Sequence, residues 1–421
     1  MIKKKTKLLI FSQCYIYGGS ERLMQSIYKN KYILNDYDIT FSYSYFKDYK
    51  SGLEQDSMNQ IFQTKFQPLY LLTNGDIYNK INLRYGNKIL RRIFKMPLHF
   101  VELTGLYALW NSFYLFIFLL YSKPNVVHIN NGGYPAAPAC NEFSFILFFF
   151  PSIRVIYQVN NKAVRKKGFW GVIKDWFIGM SVDIFLTHSI QNRKALIYRG
   201  FKENKVKTIP SYFNETILES KLSIDQITKR NFTLCMVGFL SHRKGQLFLL
   251  KALLEIRKRN HPLIDNLQVN IVGDGEERFK LIKYIEENNL QKIVTLWGSR
   301  SDYYIFIKEC HLYMMTSVEG EDMPLVLLTA MQCRRCIIAS DFAGISDLLT
   351  HNYDAFLISP NLNSIVCEIA DAIIYLYEHP NVRKSLAENV EHTFNEKLGE
   401  KKYAENLMEL YKKNIKIEKK S

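Results

Sequence analysis

The sequence predicts an α/β protein built from two doubly wound parallel sheets. Three observations predict this fold class: short apolar strands alternate with longer helical patterns, the alternation occurs in two separate series, and a polar, irregular stretch divides them. The chain has 421 residues, 48% of them hydrophobic and 23% charged, so it can bury full cores. Only 20 Gly and 11 Pro, with 14% aromatic residues, exclude disordered and fibrous classes.

The first series opens with an apolar strand over Lys7–Ser12. Gly18, Gly19 and a helix with Leu23 and Ile27 on its buried face follow. The series continues with three further predicted strands, each followed by polar or Gly-rich residues and a helix: Val126–Ile129, Val155–Val159 and Ile184–Thr187. Four such βα units make one doubly wound half.

The second series starts at Thr233, after the linker Pro210–Arg230. Helices are predicted near Gln246–Arg257 and from Pro324. The predicted strands are Leu234–Val237, Val269–Val272, Val294–Trp297, Leu312–Met315, Ile337–Ser340 and Phe356–Ile358. Ligands of such sheets bind at the carboxyl ends of the strands, so the loops there are where chemistry is expected.

Charge and cysteine usage indicate the compartment and the partners. The formal net charge of +16 attracts anions such as nucleic acid, nucleotide diphosphates or an acidic membrane. Seven scattered cysteines indicate a reducing, cytoplasmic compartment.

The apolar stretch Leu103–Tyr121 is interpreted as a buried helix, with monotopic attachment to an anionic bilayer as the alternative. The N-terminus has basic residues and an apolar run, but the run is short and ends in Gly18-Gly19 instead of a small-residue cleavage site, so it predicts a buried first strand rather than a signal peptide.

Three motifs are better explained by structure than by binding. Cys333 and Cys336 form a lone CxxC without a second pair or a nearby His at zinc spacing. Asp36-Tyr37-Asp38 matches a DxD metal motif but precedes a strand away from the phosphate-like loops. Ile271–Phe279 has Arg278 at the third glycine position of a dinucleotide fingerprint, so a strand-to-helix turn is predicted.

Two loops carry features of anion binding. Gly18-Gly19-Ser20 joins the first strand to its helix, where amides can approach an anion, although a tight turn capped by Ser20 explains it equally well. Gly238–Gln246 places Arg243 and Lys244 just before a helix, where a diphosphate would meet fixed positive charge and oriented amides. The second loop therefore predicts a diphosphate site.

An acidic loop and an amide-rich loop point to a sugar. Glu319, Glu321 and Asp322 lie against a helix start with Pro324 in its first turn, where carboxylates can accept hydrogen bonds from sugar hydroxyls. His128 is followed by Asn130-Asn131-Gly132-Gly133 at the carboxyl end of a strand. A substrate-contacting role and a plain turn both remain open for this loop.

Together these segments resemble the family 4 retaining glycosyltransferases of the GT-B fold. The resemblance extends over eight segments: GGSERLMQSI at Gly18, VVHINNGGYP at Val126, VIYQVNNKA at Val155, VKTIPSYFN at Val206, MVGFLSHRKGQ at Met236, VNIVGDGEE at Val269, EDMPLVLLTAM at Glu321 and SDFAGISDLL at Ser340. It implies two Rossmann-like domains facing each other across a cleft, with the acceptor domain over residues 1–213, the nucleotide-sugar domain over 214–385, and a helical segment over 386–421 that packs back on the first domain.

The resemblance also implies residue roles. Lys244 would neutralise the donor diphosphate, and Glu321 would bind sugar hydroxyls near the anomeric carbon. Three groups would complete the donor site: the amides of Asp322, Met323 and Pro324, the glycines Gly18 and Gly19, and Gly238 in the basic loop. No metal or other cofactor is implied, because cations and helix dipoles stabilise the leaving diphosphate.

Three positions depart from the family pattern. Thr329 stands where a second glutamate would hold the ribose, and its hydroxyl is expected to bond the ribose as a weaker, uncharged acceptor. Phe239 stands where an arginine is often found, and Arg243, four residues on, is expected to replace its charge. Asn160 stands in place of a histidine near the sugar, where it can hydrogen-bond but carries no charge. The expected function is hexose transfer from a UDP- or GDP-sugar to a lipid-linked or growing acceptor in surface polysaccharide synthesis. The expected location is the cytoplasm, peripheral on an anionic membrane.

The alternatives are a non-catalytic partner subunit that scaffolds an active transferase, and a nucleic-acid binder. The three departures motivate the first alternative, and the charge motivates the second. No nucleic-acid motif is visible in the sequence, so nucleic acid is not expected as a partner.

Overall fold

The computed structural model describes residues 5–15, 17–57, 64–85, 88–161, 163–164, 168–212, 231–319 and 323–412. The chain forms two compact units. The first comprises Met1–His188, Asn192–Ile209 and Glu400–Ser421; the second comprises Ser189–Gln191 and Pro210–Gly399. The segment that returns to the first unit thus begins at Glu400, later than the predicted residue 386, because the helix before it packs within the second unit.

In the described residues of the first unit, seven parallel strands form one sheet in the order β3-β2-β1-β4-β5-β6-β7. The strands are β1 (Thr6–Ser12), β2 (Tyr37–Ser44), β3 (Lys65–Leu69), β4 (Val126–Asn131), β5 (Arg154–Val159), β6 (Ile184–Thr187) and β7 (Val206–Thr208). The central strands β1 and β4 to β6 are almost entirely buried, which explains their continuous apolar sequences.

Helices alternate with these strands. They are α1 (Gly19–Leu23), α2 (Gln25–Tyr28), α3 (Lys31–Asp36), α4 (Lys47–Ser57), α5 (Gly75–Arg84), α6 (Lys88–Leu103), α7 (Leu106–Ser122), α8 (Pro138–Leu147), α9 (Gly168–Ser181) and α10 (Ile190–Arg199). The core of this unit includes Phe11, Phe143, Tyr157 and Phe185, all fully buried between the sheet and its helices.

In the described residues of the second unit, six parallel strands form a sheet in the order β10-β9-β8-β11-β12-β13. The strands are β8 (Phe232–Val237), β9 (Leu267–Val272), β10 (Val294–Leu296), β11 (Leu312–Met315), β12 (Cys336–Ser340) and β13 (Phe356–Ile358). Every strand predicted from the second series is present, with boundaries shifted by at most a few residues. The predicted α/β fold with two parallel sheets is therefore confirmed.

The remaining helices are α11 (Gln246–Lys258), α12 (Arg278–Glu287), α13 (Tyr303–Lys308), α14 (Leu325–Gln332), α15 (Ala343–Ser346), α16 (Ile365–Glu378), α17 (Pro380–Lys397) and α18 (Glu400–Tyr411). Helix α17 packs on α14 and β12 of the second unit, and α18 packs on α3 and β5 of the first. Gly399 lies between them, at the point where the chain leaves one unit for the other.

The expectation of a buried helix over Leu103–Tyr121 is wrong. Helix α7 starts after Gly105, which adopts a left-handed φ of 73°. Its buried residues are Asn111, Leu115 and Leu119, whereas Leu109 and Phe113 are exposed. An apolar composition on all faces predicts burial, but α8 packs against only one face of α7.

Among the described helices, none is by itself both long and apolar enough to cross a bilayer. Residues Ile89–Leu103 and Leu106–Ser122 satisfy these criteria only when taken together, and they are bent by 53° at the break between them.

Candidate active site

A chain of buried polar side chains follows the carboxyl ends of four neighbouring strands in the first sheet. Asn130 Nδ2 donates to Ser12 Oγ at 3.1 Å, and Asn160 Nδ2 donates to Asn130 Oδ1 at 2.7 Å. On the other side of Asn160, Gln158 Nε2 donates to its Oδ1 at 2.7 Å, and His188 Nε2 lies 3.0 Å from the same oxygen. Asn130 and Asn160, two predicted site residues, are thus held in one network.

The network continues to Glu21, which the sequence analysis missed. Ser12 Oγ and Ser20 Oγ donate to its two carboxylate oxygens at 3.2 and 2.7 Å, and the amide of Gly18 donates at 3.4 Å. Burial raises the pKa of Glu21 above its ordinary value. It lies three residues after the helix cap Gly18 and accepts from the amide of that cap, which is the glutamate half of a capping box and the one local signal that could have revealed it.

The glycine loop is therefore both a tight turn and part of the network. Gly18 caps the short helix α1, and Gly19, its first residue, is exposed. The Gly18 amide is bound by the Glu21 carboxylate. Of the two predicted glycines, Gly19 is the one that stays exposed to solvent.

The loop after β4 is held by Asn131. Its Nδ2 donates to the carbonyl of Ala136 at 2.8 Å and to the hydroxyl of Tyr157 at 2.7 Å, while its Oδ1 accepts from the Gly133 amide at 2.7 Å. Asn131 is fully buried, so it shapes the loop rather than facing a ligand. Gly132 lies beside it, half-buried, and its carbonyl accepts from Asn161 Nδ2.

Two fully buried histidines flank the network. His128 Nε2 donates to Gln158 Oε1 at 2.9 Å, and its Nδ1 lies 2.8 Å from the hydroxyl of Tyr411, which anchors α18 to the sheet. Burial lowers the pKa of both His128 and His188 to about 4. Both are therefore neutral at pH 7.

These pKa values predict an acid-sensitive first unit. The unfolded histidines take up protons near pH 6.5 and the folded ones only near pH 4, so the stabilisation is complete above pH 6.5 and is lost as the pH falls towards 4. The loss approaches about 1.4 kcal/mol per pH unit for each histidine. Glu21, whose pKa is raised, acts in the opposite direction.

Urea unfolding measured between pH 7 and 5 tests this prediction. The unfolding free energy of the His188→Gln variant is expected to depend less on pH than that of the wild type, because one titrating group is absent. Parallel pH dependences of the two proteins would contradict the assignment of the effect to His188.

In the second unit, three loops at the carboxyl edge of the sheet interlock. The amide of Leu240 donates to the carbonyl of Asp274 at 3.0 Å, and that of Val318 donates to the carbonyl of Arg243 at 2.8 Å. Gly245, with φ +82°, lies so close to Thr316 that a Cβ would be 1.9 Å from its carbonyl oxygen. The loops after β8, β9 and β11 are therefore positioned by one another.

Lys244 and Arg243 lie in this interlocked set. They belong to a short 3-10 turn, His242–Lys244, and α11 begins two residues after Lys244. The aliphatic part of the Lys244 side chain runs past Gly238, whose added Cβ would lie 3.9 Å from its Cδ and Cε. Two half-buried cations thus stand at the positive end of a thirteen-residue helix.

The acidic loop is only partly described. Glu321 and Asp322 lie outside the described residues, while Glu319 is exposed and Met323 is buried. Pro324 caps α14. Thr329 is fully buried in α14, where its hydroxyl donates to the carbonyl of Leu325 at 3.2 Å. That this residue binds the ribose stays a prediction.

The discounted motifs lie where a structural role explains them. Cys333 and Cys336 are buried at the end of α14 and the start of β12. Asp36 ends α3, and the segment after β9 is a turn leading into α12. Within the described ranges, no cluster of three or more His, Cys, Asp or Glu side chains could hold a metal ion. That the reaction needs no metal stays a prediction.

Known proteins resemble this chain in sequence and in fold. Residues 220–393 match the family described as Glycosyl transferases group 1. The whole chain is 25% identical, over 98% of its length and 100% of the relative's, to an uncharacterized glycosyltransferase of Methanocaldococcus jannaschii. This chain is a glycosyltransferase.

The glycosyltransferase has further relatives over shorter spans. It is 33% identical over 153 residues to the UDP-Gal:alpha-D-GlcNAc-diphosphoundecaprenol alpha-1,3-galactosyltransferase of Escherichia coli, covering 35% of this chain and 39% of that enzyme. Its fold matches the Anabaena HepE protein solved with UDP and glucose, with a TM-score of 0.71 at 17% identity over 96% of this chain and 98% of that one. The group 1 domain includes the Lys244 loop.

Proposed function

We propose that this glycosyltransferase moves a hexose, with retention of anomeric configuration, from a UDP- or GDP-sugar to a lipid-linked or growing acceptor in surface polysaccharide synthesis. The observation that carries the proposal is the basic loop of the second unit. Arg243 and Lys244 lie just before α11, in the interlocked loops after β8, β9 and β11, where Gly245 packs closely against Thr316. Fixed cations beside helix amides bind a pyrophosphate without a metal ion.

The chemistry follows from where charge develops. As the glycosidic bond to the diphosphate breaks, negative charge grows on the leaving phosphate oxygen, and Lys244 stabilises it. The helix dipole of α11 adds to this stabilisation. Glu321 would accept hydrogen bonds from sugar hydroxyls, and the leaving phosphate would take the proton of the acceptor hydroxyl as it attacks from the same face.

The acceptor role of the first unit rests on its polar network. Asn160 has both side-chain polar atoms engaged, by Asn130 on one side and Gln158 on the other. It therefore holds the shape of this edge of the sheet and brings no charge. The name of the Escherichia coli relative, whose acceptor is linked to diphosphoundecaprenol, supports a lipid-linked acceptor. Such an acceptor would keep the enzyme at the inner face of the plasma membrane, the location that we propose.

A nucleotide panel tests the donor. A ligand that binds only the folded protein stabilises it by about 2.7 kcal/mol at a concentration of roughly 100 times its Kd. Melting is measured with UDP, GDP and their hexose derivatives, and release of nucleotide is measured with an undecaprenyl-diphosphate-linked saccharide. We expect one nucleotide series to raise the melting temperature and to be released. Binding without release would favour the scaffolding subunit, and no binding would overturn the proposal.

A further inference from the structure

The first unit exposes a continuous apolar stripe along α6. Its members recur at spacings of four, three, four and three residues, which places them on one face of a helix. Each is between 55% and 84% exposed: Ile89, Ile93, Met96, Phe100 and Leu103. Soluble proteins bury such a face against another element, whereas these side chains stay largely exposed in the part of the chain that the structure describes.

Helix α7 continues the apolar surface beyond the bend at Gly105. Leu106, Trp110 and Phe113 are exposed by 61%, 53% and 63%, and they too follow helical spacing. They lie on the side of α7 opposite Leu115 and Leu119, the residues that pack inward. The bent helix pair therefore presents apolar side chains along more than thirty ångströms of helix, at about 1.5 Å per residue.

The charges around the stripe are almost all positive. The sequence of α6 contains Lys88, Arg91, Arg92 and Lys95 and one acid, Glu102. Positions 88, 92 and 95 lie about 60–120° around the helix from the centre of the stripe, all on the same side. Helix α7 contains no charged residue. An apolar face with a cationic border is complementary to the interface of an anionic bilayer.

We propose that the stripes of α6 and α7 form a membrane-docking face that lies in the headgroup region of an anionic bilayer. Lying in the interface fits these residues better than crossing the bilayer, because a crossing would place Arg91, Arg92 and Lys95 in hydrocarbon. In the interface, Arg92 reaches lipid phosphates while Ile93 and Met96 enter the acyl boundary. The inference rests on the membrane location given with the proposed function and deepens it by naming the surface that meets the lipid, but it can be tested apart from the reaction, because binding to lipid requires no catalysis.

Cosedimentation with lipid vesicles tests the docking face. The full chain is mixed with phosphatidylcholine vesicles with or without phosphatidylglycerol. We expect binding to the anionic vesicles that weakens with salt. The Met96→Glu/Phe100→Glu variant should lose about tenfold or more of its partitioning, since two apolar side chains that would enter the bilayer become charged. Arg92→Gln should weaken binding to anionic vesicles and leave binding to neutral ones unchanged.

The control for the Phe100→Glu half of this variant is Phe279→Glu, which introduces one glutamate at an 84% exposed phenylalanine on α12 of the second unit. It should bind vesicles like the wild type. Equal loss in the control and the stripe variant, or no vesicle binding by the wild type, would overturn the proposal. So would a self-associated wild type, detected by sedimentation velocity, that the stripe variant converts to monomers without any lipid binding.

Nucleotide-induced melting shifts, measured without lipid, separate this inference from the proposed function. The stripe variant should keep the wild-type shift, because its substitutions lie outside the donor loops. A protein that binds vesicles but no nucleotide would retain the docking face and lose the proposed reaction. A protein that binds nucleotide but no vesicles would keep the proposed reaction and lose the docking face.

Discussion

Replacing Lys244 with alanine is expected to lower kcat/KM for the nucleotide sugar by about 100-fold, equivalent to about 2.7 kcal/mol of transition-state stabilisation. The lysine lies in the 3-10 turn that leads into α11, beside Gly238. Its ammonium would face the phosphate oxygen on which charge grows during transfer. Initial rates of nucleotide release, measured over a range of donor concentrations, give both kcat and KM.

The control for this prediction is Lys258→Ala, at the last residue of the same helix. It removes the same charge from an exposed position far from the loop set, so kcat/KM should change little. If Lys258→Ala and Lys244→Ala lowered the rate equally, the effect would come from net charge rather than from the loop. A Lys244→Ala enzyme with wild-type kinetics would remove Lys244 from the mechanism.

Replacing Asp175 with alanine is expected to destabilise the first unit by about 3–5 kcal/mol, because it leaves a buried arginine without its counter-charge. Arg199 Nε donates to Asp175 Oδ2 at 2.9 Å, and both side chains are almost fully buried. The hydroxyl of Tyr134 donates to Asp175 Oδ1 at 2.6 Å. The carboxylate thus joins the loop after β4 to α9 and α10.

Urea unfolding measures the change, and a second variant identifies its cause. Asp175→Ala combined with Arg199→Met removes both charges, so it should recover part of the lost stability. Asp302→Ala breaks the exposed Arg300–Asp302 pair and should leave the unfolding midpoint almost unchanged. A double variant less stable than Asp175→Ala would show that the isolated arginine is not the source of the cost.

The strands that the sequence predicted well are those with continuous apolar runs, such as β8 and β11. Both faces of these central strands are covered, so nearly every residue in them is buried and apolar. Strand β2 was anticipated only as a strand without bounds after the DxD motif, and β3 was missed. Strand β2 reads YDITFSYS, in which polar residues occupy buried positions, and β3 is a short edge strand that contains Pro68. Neither has the apolar run that marks a strand.

The candidate site also has residues that the local sequence indicates and residues that only the fold brings together. Arg243 and Lys244 could be proposed from the sequence, because two cations before a helix start are visible there, and the structure places them just before α11. His188 was missed, because its partner Asn160 follows β5, which only the parallel pairing of β5 with β6 brings beside it. Glu21 was missed although Ser12 is only nine residues away, because their contact depends on how the glycine loop folds back onto the end of β1. Thr329 was assigned to the ribose by position, whereas its hydroxyl turns back to its own helix.

The sequence by itself determined the fold class, the two series of βα units and the basic loop before α11, because periodicity and local charge act over a few neighbouring residues. Only the tertiary structure decided that Glu21, Asn130 and Asn160 form one buried network, and that the apolar residues of α6 and α7 face solvent. Both outcomes depend on which distant segments cover a surface. The local sequence does not determine which segments those are.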